Sequence, residues 1–222
     1  MTIVKDFIPV GRKNRPGKTN PIRYITIHNT GNSSKGANAK SHASYIKGDS
    51  AANAPVSWHY TVDETGAYQH LPDNETAYHA GDGSGLGNTQ SIGIEICENS
   101  DGNLLLATDN AARLVAQLCN TYNVPLEHVV QHFFWSSKDC PHKLRRQQPY
   151  SWQTFLSKIN DYTANTPTAK SPEETTVDNA ISIGVISDKD YWLSVLLSKT
   201  QANPAYIKII LDNAYNKITN KQ

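Results

Sequence analysis

The stretch SIGIEIC, residues 91–97, sets an isoleucine at every second position. Successive side chains of an extended strand point to opposite faces. Ile92, Ile94 and Ile96 therefore share one face, and Gly93, Glu95 and Cys97 share the other. RYITIHN, residues 23–29, alternates in the same way, is rich in β-branched residues, and reads as a strand ending at His28. If the two strands are neighbours, Thr26 and His28 line the face that carries Glu95. SWHYTVDETGAYQHL, residues 57–71, reads as two strands joined into a hairpin around Asp63 to Gly66. From Thr108 to Tyr122 the set Leu114, Val115, Leu118, Cys119 and Tyr122 forms a helical stripe, with Thr108 or Asp109 as its cap. SWQTFLSKIN, residues 151–160, puts Trp152, Phe155, Leu156 and Ile159 on one helical face. Strands interleaved with helices predict an α/β domain with a central mixed β-sheet flanked by helices.

The chain has 222 residues and a formal net charge of +1, so its charge balance gives no argument for nucleic acid or an anionic membrane as partner. No apolar run approaches the roughly 20 residues of a membrane-crossing helix. The start, MTIVKDFIPVGRKN, lacks a basic region followed by a long apolar core, so synthesis in the cytoplasm without a signal peptide is expected. Cys97, Cys119 and Cys140 are odd in number and not spaced as a disulfide scaffold. NTPTAKSPEETT, residues 165–176, has no apolar periodicity and reads as a linker. The expected domains are 1–164, this linker, and 177–222. The tail reads as a small three-helix module: Val177 to Ile183, a second helix capped by Ser187, and a third with Asn203 as cap and Pro204 at its first position. So short a module has a marginal core, which docking or a homodimer formed through it would complete.

All eight histidines precede residue 143, which places the chemistry in the first part of the chain. QHFFWSSKDCPHKL, residues 131–144, concentrates His132, Lys138, Cys140 and His142. Zinc prefers imidazole nitrogen and thiolate sulfur in tetrahedral sites. His28, His132 and Cys140 would supply three ligands and leave a fourth position for water, as in a catalytic rather than a structural site. A carboxylate such as Glu95 beside that water could take its proton. The competing chemistry is a thiolate pair of Cys140 with His132 or His142. Spacing alone leaves both open, as it leaves a strand-end histidine and a buried small thiol.

Five collinear segments carry a resemblance from about Ile22 to Leu144: ITIHNT, SWHYTVDETGAYQHL, TAYHAGDG, SIGIEICEN and VVQHFFWSSKDCPHKL. Together they resemble the zinc-dependent N-acetylmuramoyl-L-alanine amidases, the family of phage lysozyme-like amidases and peptidoglycan recognition proteins. The resemblance implies one zinc ion held by His28, His132 and Cys140, with Glu95 and Lys138 as catalytic partners. It implies peptidoglycan as substrate, cut between N-acetylmuramic acid and the first L-alanine of the stem peptide, as a phage endolysin would cut it. Where some relatives carry a tyrosine near the metal, this chain has Trp58, which has no phenol to act as an acid. Trp58, His59 and His79 are expected to line the substrate groove, whereas His42, His70, His128 and His142 take surface or structural roles. Relatives that bind peptidoglycan without cutting it typically lack the cysteine ligand, and Cys140 is present. VDNAISIGVISDKDYWLSVL, residues 177–196, resembles the C-terminal modules of wall hydrolases, which implies wall binding. Tyr191, Trp192, Tyr206 and Tyr215 would stack on sugar rings or form the module's core.

Overall fold

The computed structural model describes residues 1–165, 172–197, 203, 207, 209–210 and 212–214. In chain order the elements are β1 (Thr2–Lys5), β2 (Tyr24–Asn29), α1 (Ala39–Lys47), α2 (Asp49–Ala52), β3 (Tyr60–Asp63), β4 (Gly66–Gln69), α3 (Leu86–Thr89), β5 (Ser91–Ile96), α4 (Leu104–Tyr122), β6 (Val129–Gln131), α5 (Phe133–Ser136), α6 (His142–Arg145), α7 (Trp152–Asn165), α8 (Pro172–Ser182) and α9 (Lys189–Leu196). The chain divides into two units, Met1–Thr166 and Pro167–Gln222. Among the described residues no helix is long and apolar enough to cross a membrane.

The first unit is built on one six-stranded sheet in the order β1-β4-β3-β5-β2-β6. The β3–β4 hairpin is antiparallel and every other pairing is parallel, so the sheet is mixed, as the alternation of strands and helices predicts. Register decides what the sheet can do. Strands β2 and β5 pair Thr26 with Gly93 and His28 with Glu95, and β3 places Thr61 opposite Glu95. Period-two alternation then sorts the strands into an aliphatic face and a polar face.

The aliphatic face joins Ile25 and Ile27 of β2, Ile92, Ile94 and Ile96 of β5, and Tyr60 and Val62 of β3 in one buried cluster. Ala107, Ala111, Leu114, Val115 and Leu118 of α4 enter the same cluster, as do Phe155 and Ile159 of α7. Trp152 and Leu156 pack against it, so the stripe read from SWQTFLSKIN is the one α7 buries. Full burial of each large aliphatic side chain contributes about 1.5–3 kcal/mol.

Helix α4 begins a turn earlier than the sequence predicts. Its cap is Asn103, whose side chain accepts from the Leu106 N–H at 3.1 Å. Thr108 lies inside the helix and donates to the Leu104 carbonyl at 2.7 Å. Asp109 instead ties α4 to α7, accepting from Lys158 at 2.9 Å and Tyr162 at 2.8 Å. The helix ends at Asn123 in a left-handed conformation (φ 52°), which lets the Val124 N–H reach back to the Cys119 carbonyl. Strands β1 and β6 are too short to show periodicity in the sequence, whereas helix α1 buries Ala39, His42, Ala43 and Ile46 at helical spacing, a stripe the sequence reading passed over.

In the second unit α8 packs on α9. The expected linker is shorter than 165–176, because α8 starts at Pro172, where proline's fixed φ suits a first helical position. Helix α9 is capped by Asp188, which accepts from the Tyr191 N–H at 3.0 Å, and not by Ser187. Of the third expected helix, residues 207, 209–210 and 212–214 are helical. Pro204, Tyr206 and Tyr215 lie outside the described residues. Tyr191 and Trp192 are half-buried and meet edge to face at 5.0 Å.

Candidate metal centre

The polar face of the sheet opens on a cavity of about 900 Å³ lined by His28, Trp58, His79, Glu95, His132, Lys138, Cys140 and His142, among others. Strand β2 delivers His28 one residue before its end, and β5 delivers Glu95 at the paired position. His132 follows β6 directly, and its N–H continues the parallel ladder to the Ile27 carbonyl. Cys140 is brought back beside His132 by a bond from the Phe133 N–H to the Cys140 carbonyl at 3.0 Å. The intervening turn is tighter than the extended segment the sequence suggests. Ser137 is left-handed (φ 59°), and the Cys140 N–H reaches the Lys138 carbonyl at 2.7 Å. Lys138 and Cys140 still line the same cavity.

His28, His132 and Cys140 are buried, and one donor atom from each lies within 4.8 Å of the others. His28 Nδ1 sits 3.7 Å from Cys140 Sγ, a spacing that suits two bonds of about 2.0–2.3 Å to a shared tetrahedral centre. Neither ring nitrogen of His132 makes a hydrogen bond of good geometry among the described residues, its one backbone neighbour being Ala80, although the side chain is buried. A buried imidazole with nothing to bond is costly unless a ligand completes it. Two imidazoles and one thiol form a donor set that fits a borderline-soft dication.

The electrostatics of the two imidazoles agree with that fit. Burial, then His79, His132 and Lys138, hold the His28 pKa well below its usual value. Burial and Lys138 lower His132 as well. Both rings are therefore neutral, the form that binds metal. Burial lifts the Cys140 thiol to about 12, with Glu95 adding to the rise. Burial likewise lifts the Glu95 carboxyl to about 8, against the pull of Lys138. Glu95 Oε1 lies 3.9 Å from His28 Nδ1, and Oε2 has no hydrogen-bond partner among the described residues.

The other expected groove residues separate. Trp58 lines the cavity and anchors its indole N–H on Thr61 Oγ1 at 2.7 Å. His59 does not reach it. Its Nδ1 accepts from the Gly93 N–H at 3.0 Å and its Nε2 pairs with the Glu75 carbonyl at 2.8 Å, so both nitrogens are consumed in joining strands to a loop. His79 lines the cavity but faces His28, with Nδ1 3.0 Å from His28 Nε2. His142 Nε2 lies 2.9 Å from Glu98 Oε2, apart from the three donors. The sequence reading missed Glu98, Lys18 and Asn29. Lys18 and Asn29 both line the cavity, and Asn29 Oδ1 accepts the Lys143 N–H. Asn29 follows His28 on a strand that had already been read, so its place was within reach of the sequence.

Comparison with known proteins agrees with this geometry. A family profile described as N-acetylmuramoyl-L-alanine amidase matches residues 18–143, which span every residue of the centre. The chain is 48% identical over 187 residues to the N-acetylmuramoyl-L-alanine amidase CwlH of Bacillus subtilis, covering 84% of this chain and 70% of that protein. It is 50% identical over 159 residues to XlyA, an N-acetylmuramoyl-L-alanine amidase of the same organism, covering 72% of this chain but 51% of XlyA, so it spans about half the length of that relative. The solved catalytic domain of XlyA superposes with a TM-score of 0.67 at 50% identity, covering 72% of this chain and 99% of that domain. Fold, donor set and sequence thus converge on one assignment: the chain belongs to the N-acetylmuramoyl-L-alanine amidase family.

Proposed function

We propose that the first unit hydrolyses the amide between the lactyl group of N-acetylmuramic acid and the L-alanine of the peptidoglycan stem peptide, with one zinc ion held by His28, His132 and Cys140. The observation that carries this is the convergence of those three buried donors with Glu95 and Lys138 in one cavity. Bound zinc would polarise the scissile carbonyl and lower the pKa of a water to about 7. Glu95 takes the proton of the attacking water and returns it to the leaving amine. Burial raises its pKa and so its strength as a base, while the positive charge of Lys138 favours the ionised form that accepts the proton. The ammonium of Lys138 faces the negative charge that develops on the carbonyl oxygen. Trp58 has no proton to give there, so proton transfer falls to Glu95.

The deciding measurement is mass spectrometry of fragments released from purified cell walls, with and without chelator. Stem peptides with a free N-terminal alanine, lost on chelation and restored by zinc, are the expected result. Cleavage elsewhere that survives chelator would move the reading to a thiol peptidase. Wall binding without cleavage would make the chain a recognition protein. Cys140→Ser is expected to abolish turnover and weaken zinc retention while keeping the fold.

We also infer endolysin-like use, with synthesis in the host cytoplasm and action on the wall. The second unit is read as a wall-targeting module, supported by its resemblance to modules of wall hydrolases. Pelleting of the full chain with and without residues 167–222 on purified walls tests this. Sedimentation of the full chain tests its other reading, a homodimer.

A further inference from the structure

We propose that His79 is a positioning residue whose task is to fix the tautomer and aim of His28, and that the instruction starts at a backbone carbonyl on the far side of Ser91. The Ser91 hydroxyl donates its one proton to the Gly87 carbonyl at 2.6 Å. Toward every other neighbour Ser91 Oγ can therefore only accept. It accepts from Thr26 Oγ1 at 2.8 Å, and Thr26 in turn accepts the Trp135 indole N–H at 2.9 Å. Its remaining neighbour is His79 Nε2 at 3.4 Å, the longest link, so the His79 proton sits on Nε2. In a neutral imidazole the other nitrogen is then a bare acceptor. That acceptor, Nδ1, lies 3.0 Å from His28 Nε2, which must carry the proton. His28 Nδ1 is left as a bare acceptor, and it is the atom that faces Cys140 Sγ at 3.7 Å, where it accepts from the thiol when no metal is bound.

Two further features hold His79 in place. Its own N–H and that of Ala80 both donate to Asn88 Oδ1, at 2.7 and 2.8 Å. Its ring lies flush on Gly93, where a Cβ would meet ring atoms at 2.7 Å. Outer partners of a metal-bound histidine commonly set its orientation and basicity. Here the partner is a second imidazole, neutral because it is buried, in place of a carboxylate or carbonyl.

This inference rests on the zinc reading, so its test has a metal-free arm. In the full chain without metal, nitrogen NMR is expected to find His28 as a single tautomer protonated on Nε2. His79→Leu should turn that into a mixture and weaken zinc affinity by about 10–100-fold in chelator competition. His79→Asn, which keeps an acceptor oxygen near the Nδ1 position, should recover most of the affinity. Ser91→Ala should fall between the two. Unchanged tautomer and affinity in His79→Leu would overturn the proposal, as would a His79→Asn variant no better than His79→Leu. If His79→Leu fails to fold, the Asn and Ala variants decide by the same two readouts. A wild-type chain that takes up no zinc yet shows the tautomer shift would sink the metal reading and leave the positioning role standing.

Discussion

On strands β2 and β5, side chains one residue apart meet opposite surroundings. Ile27 and Ile94 are buried against helices on one side of the sheet, while His28 and Glu95 face the cavity on the other. Interruption costs stability on the first side and chemistry on the second. An aliphatic face is held by many weak, interchangeable contacts. The polar face is held by single hydrogen bonds with no substitute, such as His28 to His79 and Gly93 to His59. One strand register serves both, so the packing that stabilises the fold also sets the spacing of the donors.

If the two faces divide their labour, substitutions on each should move different quantities. The largest effect is expected at Glu95. Glu95→Gln should lower kcat by about 10²–10⁴-fold while zinc content and melting temperature stay near wild type. A normal kcat would break the comparison at once. Ile94→Ala, one residue away, should do the reverse. It should cost about 2–5 kcal/mol in denaturant unfolding and leave kcat per folded molecule close to wild type. A kcat loss without a stability loss would mean that the faces are not separable.

Glu75 tests the border between them. Its carbonyl holds His59, and its carboxylate accepts two hydrogen bonds from Arg15, at 2.6 and 2.8 Å. Those bonds keep the Glu75 pKa below its usual value. The stabilisation is therefore complete above the ordinary carboxylate range and is lost as pH falls through the lowered pKa. Glu75→Gln should cost about 1.5 kcal/mol at neutral pH. That gap should close under acid, and a gap independent of pH would show that the charge is not what matters. The smallest effect belongs to the α4 cap, remote from both chemistries. Asn103→Ala should cost about 1 kcal/mol and leave turnover untouched.

How much of this was legible beforehand depended on which physical rule governed each part. The alternation in SIGIEIC and RYITIHN set the two faces, and it placed Glu95 with Thr26 and His28 once the strands were taken as neighbours. The α7 stripe followed from helical period. Caps were harder to read, because Thr108 and Asp109 have the chemistry of a cap, yet Asn103 lies before three leucines and captures the chain first. His59 misled for a different reason. Its nitrogens are spent on the Gly93 amide and the Glu75 carbonyl, and main-chain groups leave no mark in a sequence. His79 was placed at the cavity from its motif, but its partner His28 is distant in the chain.

Gly93 has no side chain with which to perform chemistry. Even so, its missing side chain is what admits the His79 ring, while its amide is bound to His59. In a saturation scan scored for wall lysis, position 93 should therefore tolerate as few replacements as a metal ligand does. Its intolerance would carry a distinct signature, in which the penalty grows with the volume of the replacement and alanine is already costly. At a ligand position the penalty follows donor chemistry and ignores size.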